Sequence, residues 1–258
     1  MRLLLALALL QVLPRPIQHH ALPRARHAVR KARDLIEARL RATIAARLPL
    51  AHVAERPDLL RHTPHPGSGL AAIARAARSD AAPYWAHLWP GGAALILHLQ
   101  RHPETVAGQS VLDLGAGAGL VGIAAARAGA SHVTASDIDP LARLVAAMNA
   151  EANGTPLALA GDLLDGPAPD AQVILAGDVF YSAALATRVL PFLHRCHARG
   201  ARILVGDLGR AHLPRAGFDA LATYPVRDLG DPPGATRDGV VLVPSRDGFG
   251  MELPRDRP

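Results

Sequence analysis

At 258 residues the chain suits one domain of ordinary size with an N-terminal elaboration, and two full domains would be cramped. A formal charge of +6 invites a nucleic-acid partner, but Lys31 is the only lysine, and aromatics at 3% leave too few rings for the stacking platforms of single-strand readers. One cysteine, Cys196, excludes an intrachain disulfide framework and a Cys-rich zinc site.

Met1-Arg2 followed by the apolar run Leu3 to Leu10 resembles the start of a signal peptide. The run is too short to span a bilayer, and Gln11-Val-Leu-Pro-Arg-Pro offers no small-x-small cleavage site. Residues 1–28 therefore read as an uncertain extension, flexible or following a mis-chosen start, ahead of a cytoplasmic protein. From Val29 to Leu48 apolar residues recur with helical period against an arginine-rich face, which predicts a helix that lies against the core or covers a site. Pro57, Pro64, Pro66 and Gly67-Ser-Gly69 predict a connector with little regular structure. A second periodic stretch begins at Leu70. Both tryptophans fall in Tyr84-Trp-Ala-His-Leu-Trp-Pro-Gly-Gly92, where Trp85 and Trp89 at i and i+4 would share one side of a helical turn, as core plugs or as a lid. A helix is expected over 93–100, and residues 29–108 together read as a helical elaboration and lid.

Beyond this the pattern alternates between strand and helix. Strands are expected at 110–114, 132–136, 157–160, 173–176 and 202–205, with helices at 120–128, 140–152 and 183–197. Residues 218–226 and 239–243 read as an antiparallel tail. The fold class is α/β: a Rossmann-like seven-stranded sheet of the class I methyltransferase kind, with helices on both faces, its core spanning residues 109–250. In such sheets ligands bind beyond the carboxyl ends of the strands.

The loop after the first of these strands carries Gly115, Gly117 and Gly119, small enough to let backbone amides approach a ligand, and Asp137 ends the second strand where a carboxylate could take two ribose hydroxyls. Gly117-Ala-Gly-Leu-Val-Gly122 also spells a dinucleotide fingerprint, so NAD and FAD stay as alternatives. Asp113 tilts the reading. A pyrophosphate would be repelled by it, whereas the ammonium and sulfonium of S-adenosyl-L-methionine would be attracted. Asp139 before Pro140 is a helix cap. Asp162 after the third strand could accept from an adenine amino group, against the plainer reading of a solvated aspartate. Asp178 after the fourth is held at the sheet edge, and Tyr181 could wall a channel and attract a cation through its ring. His194 and His197 share a helix face at i and i+3, but without a third ligand no metal is expected there, nor at His19-His20 or His62 with His65.

Pro83-Tyr-Trp-Ala-His-Leu-Trp-Pro-Gly-Gly92, Val111-Leu-Asp-Leu-Gly-Ala-Gly-Ala-Gly119, Ser136-Asp-Ile-Asp-Pro140, Gly177-Asp-Val-Phe-Tyr181 and Gly206-Asp-Leu-Gly-Arg210 together resemble the seven-strand protein-lysine methyltransferases that modify the beta subunit of electron transfer flavoprotein. The resemblance implies cofactor contacts for Trp89, Asp113, Gly115, Gly117 and Asp137, with Asp162 near the adenine. It implies that Asp178 and Tyr181, as Asp-x-x-Tyr, receive the substrate lysine. It further implies a monomer without metal, acting on a protein and not on nucleic acid, with no stable membrane insertion. Leu208 stands where family members often carry proline, which loosens any statement about that loop's shape. Rivals remain: a methyltransferase of another protein, such as a ribosomal protein, or of a small amine, and a noncatalytic cofactor-binding protein.

Overall fold

The computed structural model describes residues 15–77, 79, 82–232 and 234–245. The signal-like run at residues 3–10 lies outside them. Two units cluster separately, Met1–Ala46 and Arg47–Pro258. Within the first, the expected helix is present and begins earlier than its apolar period suggests, as α1 (Arg15–Arg47). An i,i+4 pair, Arg41 with Glu37 at 3.1 Å, supports its exposed surface.

The second unit opens with an element that the prolines concealed. Strands β1 (Leu50–Val53) and β2 (Arg56–His62) form an antiparallel hairpin in place of the expected irregular connector. Pro57 is tolerated because the register shifts between His52 and Val53, so Pro57 faces no paired residue and its missing N–H costs no ladder bond. The other edge of β2 is satisfied by side chains. Asn153 accepts from the Leu60 amide at 2.9 Å and donates to the Leu60 carbonyl at 2.7 Å, and Asn149 accepts from His62 at 2.8 Å. These two asparagines, one in the last turn of a helix (Pro140–Ala152) and the other its C-cap four residues on, hold the hairpin as a strand would.

The remaining elements are α2 (Leu70–Ala77), a 3-10 turn (Tyr84–Ala86), α3 (Pro90–Arg101), a second 3-10 turn (Pro103–Thr105), β3 (Ser110–Leu114), α4 (Leu120–Arg127), β4 (His132–Ser136), α5 (Pro140–Ala152), β5 (Ala158–Ala160), β6 (Val173–Gly177), α6 (Ala183–Ala198), β7 (Arg202–Asp207), a third 3-10 turn (Arg215–Gly217), β8 (Phe218–Val226) and β9 (Arg237–Pro244). The sheet order is β5-β4-β3-β6-β7-β9-β8, parallel except for β9, which enters antiparallel between β7 and β8. This is the class I methyltransferase form of the Rossmann-like fold. Pro225 is accommodated because β8 is the edge strand.

Alternation along the central strands sorts the two faces. Leu112, Leu114, Ile174, Ala176, Ile203 and Val205 join Phe192, Leu193 and Cys196 of α6 in one buried layer. The intervening positions, Asp113, Leu175, Leu204 and Gly206, face the other way. There α3 lies across β6, β7, β8 and β9, and α4 lies over β3 and β4.

Helix α3 approaches the sheet more closely than side chains permit. A Cβ on Gly206 would stand 2.0 Å from the Gly91 carbonyl oxygen, and one on Gly177 would stand 2.9 Å from the Gly92 Cα and amide nitrogen. Both obstacles are backbone and cannot rotate away. Gly206→Ala is therefore expected to destabilise the protein by about 1–3 kcal/mol, the range for overpacking a close contact, read as a lowered urea midpoint with unchanged m-value; an unchanged midpoint would show that the helix can back away freely.

Candidate active site

The carboxyl ends of β3, β4 and β6, the residues after β5 and β7, and the segment preceding α3 enclose a cavity of ≈ 680 Å³. Every site residue singled out from sequence lines it except Gly119, which packs behind the turn. Gly119 takes a left-handed φ of 76° as the N-cap of α4, and a Cβ there would meet the Ala146 Cβ at 2.8 Å. Its role in this structure is to let α4 and α5 close on one another. Gly115 and Gly117 also have positive φ, 68° and 51°, so their backbone faces the cavity without a side chain between.

Asp137, at the end of β4, accepts from the Gly117 amide at 2.9 Å and from the Asp139 amide at 2.9 Å. It thereby fixes the glycine turn and the start of α5 together. Burial first, and the neighbouring Asp139, hold its carboxyl above the usual range against these two amides. Asp139 caps α5 as expected, accepting from Leu141 at 2.9 Å. The turn is braced from behind by Asn149, whose amide donates to the Ala118 carbonyl at 2.9 Å.

Asp113 is 1% exposed and accepts from the Gly122 amide at 2.8 Å. Burial pushes it up to about 7, opposed by that amide and reinforced by Asp137. In a dinucleotide site the third glycine of the signature serves close packing of helix on strand, and Gly122 does so here, where a Cβ would stand 3.1 Å from the Asp113 carboxylate. What weighs between the two readings is the charge beside the turn: a pyrophosphate there would be repelled by Asp113 and Asp137 in their ionised forms.

Asp178 is a non-glycine residue at φ 54°, a strained conformation fixed by its amide donating to the Gly206 carbonyl at 2.9 Å. Its side chain is 8% exposed. Oδ2 accepts from the Gly92 amide at 3.0 Å, at the positive end of α3, and Oδ1 accepts from Arg210 Nη2 at 3.0 Å and Nε at 3.3 Å. Burial raises it to about 6, while Arg210 and the Gly92 amide pull down and Asp207 pushes up. Arg210 was legible only as part of a motif; its grip on Asp178 depends on the loop after β7. That loop closes without the family proline because Asp207, 0% exposed, accepts the Arg210 amide at 2.6 Å and Gly209 takes φ 79°.

The tryptophans do not share a helical face. Pro90 keeps Trp89 extended, φ −84° and ψ 155°, so the 3-10 turn ends at Ala86 and Trp89 becomes the N-cap of α3. Trp85 is buried, whereas Trp89 is half-buried and donates its indole N–H to the Tyr84 carbonyl at 2.9 Å. Tyr84 and Tyr181, 54% and 51% exposed, stand with ring centroids 5.7 Å apart, and Tyr84 meets Trp89 edge-on at 5.9 Å. An aromatic rim thus borders the cavity beside Asp178. Asp162 lines the cavity but is engaged, pairing with Arg188 at 2.7 Å and accepting from the Leu164 amide at 3.1 Å.

Cys196 is buried under α6, and among the described residues no group of three His, Cys, Asp or Glu side chains could hold a metal ion. Among them, too, no helix is long and apolar enough to cross a membrane.

Because Asp113 titrates near 7 when folded and near 3.8 as an ordinary aspartate, the folded state holds the proton more tightly between those values. Its contribution to stability therefore falls as pH rises through that window. Asp113→Asn removes the cost, so its melting temperature should exceed the parent's by more at about pH 8 than at about pH 5; an equal gap at both would show that the carboxyl is not buried as an ion.

Comparison with known proteins agrees with this geometry. Residues 96–188 match the family described as Ribosomal protein L11 methyltransferase (PrmA). The electron transfer flavoprotein beta subunit lysine methyltransferase of Danio rerio is 44% identical over 153 residues, covering 57% of this chain and 59% of that protein. The protein of the same name in Homo sapiens is 41% identical over 132 residues, 50% of each chain. A solved ribosomal protein L11 methylase from Lactobacillus delbrueckii subsp. bulgaricus is 23% identical over 60% of this chain and 78% of that one, with a TM-score of 0.44. The chain spans a little over half the length of the curated relatives it matches. The chain has the class I methyltransferase fold and is similar over about half its length to the electron transfer flavoprotein beta subunit lysine methyltransferases.

Proposed function

We propose that the chain is an S-adenosylmethionine-dependent protein-lysine N-methyltransferase whose substrate is the beta subunit of electron transfer flavoprotein. The observation that carries the reading is the pairing of two features in one cavity: a glycine turn flanked by Asp113 and Asp137, and an aromatic rim leading to the buried Asp178. The residues suit the cofactor. Gly115 and Gly117 leave a cradle that a side chain would fill, Asp137 offers further lone pairs to a ribose, and the buried Asp113 lacks a cationic partner that a methionine ammonium would supply. The cavity volume falls within the roughly 300–1,000 Å³ typical of small-molecule sites. Asp162 borders the adenine end with Arg188 holding its carboxylate in place.

Bound S-adenosylmethionine would supply a methyl group on a sulfonium leaving group, which needs no acid to activate it. The protein's task is to deliver a neutral amine in line. Tyr84 and Tyr181, in contact with one another at 5.7 Å, form an aromatic rim along which a long cationic side chain can pass and shed part of its water. Asp178 orients the nitrogen. We assign no nucleic-acid role, place the chain in the cytoplasm and take it to act as a monomer.

The test is intact-mass analysis with peptide mapping of purified electron transfer flavoprotein beta subunit after incubation with the chain and S-adenosylmethionine. Methylene-sized additions on lysine are expected; none, with cofactor binding confirmed calorimetrically, would overturn the substrate. The family match over residues 96–188 favours ribosomal protein L11 as the second substrate to try.

Two variants separate the roles. Asp178→Asn should keep affinity for S-adenosylhomocysteine within a few fold, roughly, and lower transfer more than about tenfold. Asp137→Ala should do the reverse, weakening calorimetric affinity by about tenfold or more, since hydrogen bonds to charged groups contribute about 1.5–3 kcal/mol. Affinity should also fall as pH drops below about 7, by up to about tenfold per unit as Asp113 takes a proton, and Asp113→Asn should flatten that dependence. A flat parent profile would remove Asp113 from cation binding.

A further inference from the structure

Among the described residues, two arginines line the cavity, Arg188 and Arg210. Arg188 is committed to Asp162 and Asp165, each at 2.7 Å. Arg210 therefore stands as the cation beside Asp178, contacting Oδ1 through both Nε and Nη2. Its backbone is pinned by Asp207, which accepts the Arg210 amide, and its side chain is only 27% exposed. Such a two-point contact from a pinned, half-buried guanidinium is more than a surface ion pair.

The arrangement answers a difficulty in the chemistry. A free lysine amine has a pKa of about 10.4, and a bare carboxylate beside it would favour the ammonium, which has no lone pair to attack with. Asp178 is not bare. One oxygen is covered by Arg210 and the other by the positive end of α3 through Gly92. We propose that Arg210 is a positioning residue that keeps Asp178 ionised yet charge-compensated, so that the incoming lysine is oriented by the carboxylate without being held protonated. The inference rests on the methyltransferase reading above.

The proton goes to water past Tyr84 and Tyr181, and the freed lone pair on nitrogen would form the new bond to the methyl carbon as the carbon–sulfur bond breaks, its electron pair staying on sulfur in the departing S-adenosylhomocysteine. Asp207, behind Arg210 on the same loop, opposes the ionisation of Asp178, so the compensation must come from Arg210 and α3. Among the described residues, the other ionisable side chains lining the cavity, Asp113, Asp137, Asp139, His87, Tyr84 and Tyr181, carry no fixed positive charge at neutral pH. Burial, with Arg61 nearby, also holds His87 below its ordinary value, toward the neutral form.

Two readouts test this on the full chain. The first is the titration of the Asp178 carboxyl by carbon-detected NMR, which needs no substrate. The parent midpoint should lie near 6, and Arg210→Gln should move it upward by about one unit or more, with Arg210→Lys between the two. The second is the pH profile of kcat, with electron transfer flavoprotein beta subunit as the probe. Productive transfer needs Asp178 ionised and the amine neutral, and loss of Arg210 pushes both requirements to higher pH. The rising limb of Arg210→Gln should therefore shift up by about one unit, giving a roughly tenfold loss near neutrality that is recovered in alkali, with KM not raised. An unmoved Asp178 titration, or a kcat lowered by one factor at every pH, would overturn the role of Arg210. Absence of transfer by the parent chain would overturn the functional reading instead, and the titration would still decide whether Arg210 compensates Asp178.

Discussion

The structure depends on the backbone contact between the Pro90-Gly91-Gly92 start of α3 and the glycines at the carboxyl-terminal ends of β6 and β7, Gly177 and the penultimate Gly206. Helices normally ride about 10 Å above a sheet on a layer of side chains. Here three successive requirements remove that layer: Gly91 against Gly206, Gly92 against Gly177, and the amide of Gly92 within 3.0 Å of the Asp178 carboxylate. The close approach brings the positive end of α3 to the cavity, and with it the aromatic segment preceding Trp89. A bulkier residue at any of these positions would lift the rim, the helix dipole and the Asp178 contact together.

A second brace comes from the opposite side. Asn149 is 0% exposed and spends its side chain on two distant backbones, accepting from His62 of the hairpin and donating to Ala118 of the glycine turn. An apolar residue there would leave a buried amide and a buried carbonyl unsatisfied, a cost of about 1–3 kcal/mol each. The hairpin is therefore part of the support for the cofactor turn and not an ornament on the sheet. Asp137 completes the circuit by tying the same turn to the start of α5.

How far this was legible in sequence follows from the range of the interactions. The strands were readable because the central ones are buried on both faces and carry uninterrupted apolar runs, and the turns because glycine and proline act on their own φ and their neighbours. The positions of Asp113, Asp137 and Asp178 were readable because each lies at or near the carboxyl end of a strand. The hairpin was hidden because its pairing is satisfied by Asn149 and Asn153, some ninety residues away, and because Pro57 occupies an unpaired position. Trp85 and Trp89 were misplaced on one helical face because the spacing was read before the restriction that Pro90 imposes on its predecessor. Arg210 was visible as a motif letter; that it grips Asp178 depends on the turn closed by Asp207, which spacing alone does not express.

What remains is an electrostatic preference built into the fold. Asp113, Asp137, Asp178 and Asp207 are all held above the usual carboxylate range, in each case first by burial. Three of them line one cavity, and of those three Arg210 contacts Asp178. A site with that balance gains most from a ligand that brings positive charge, because each carboxyl then ionises without facing an unpaired charge in a low dielectric. An anionic pyrophosphate would raise the same cost further. The charge distribution thus disfavours the dinucleotides that share the glycine signature, because Asp113 and Asp137 flank the turn where their pyrophosphate would lie.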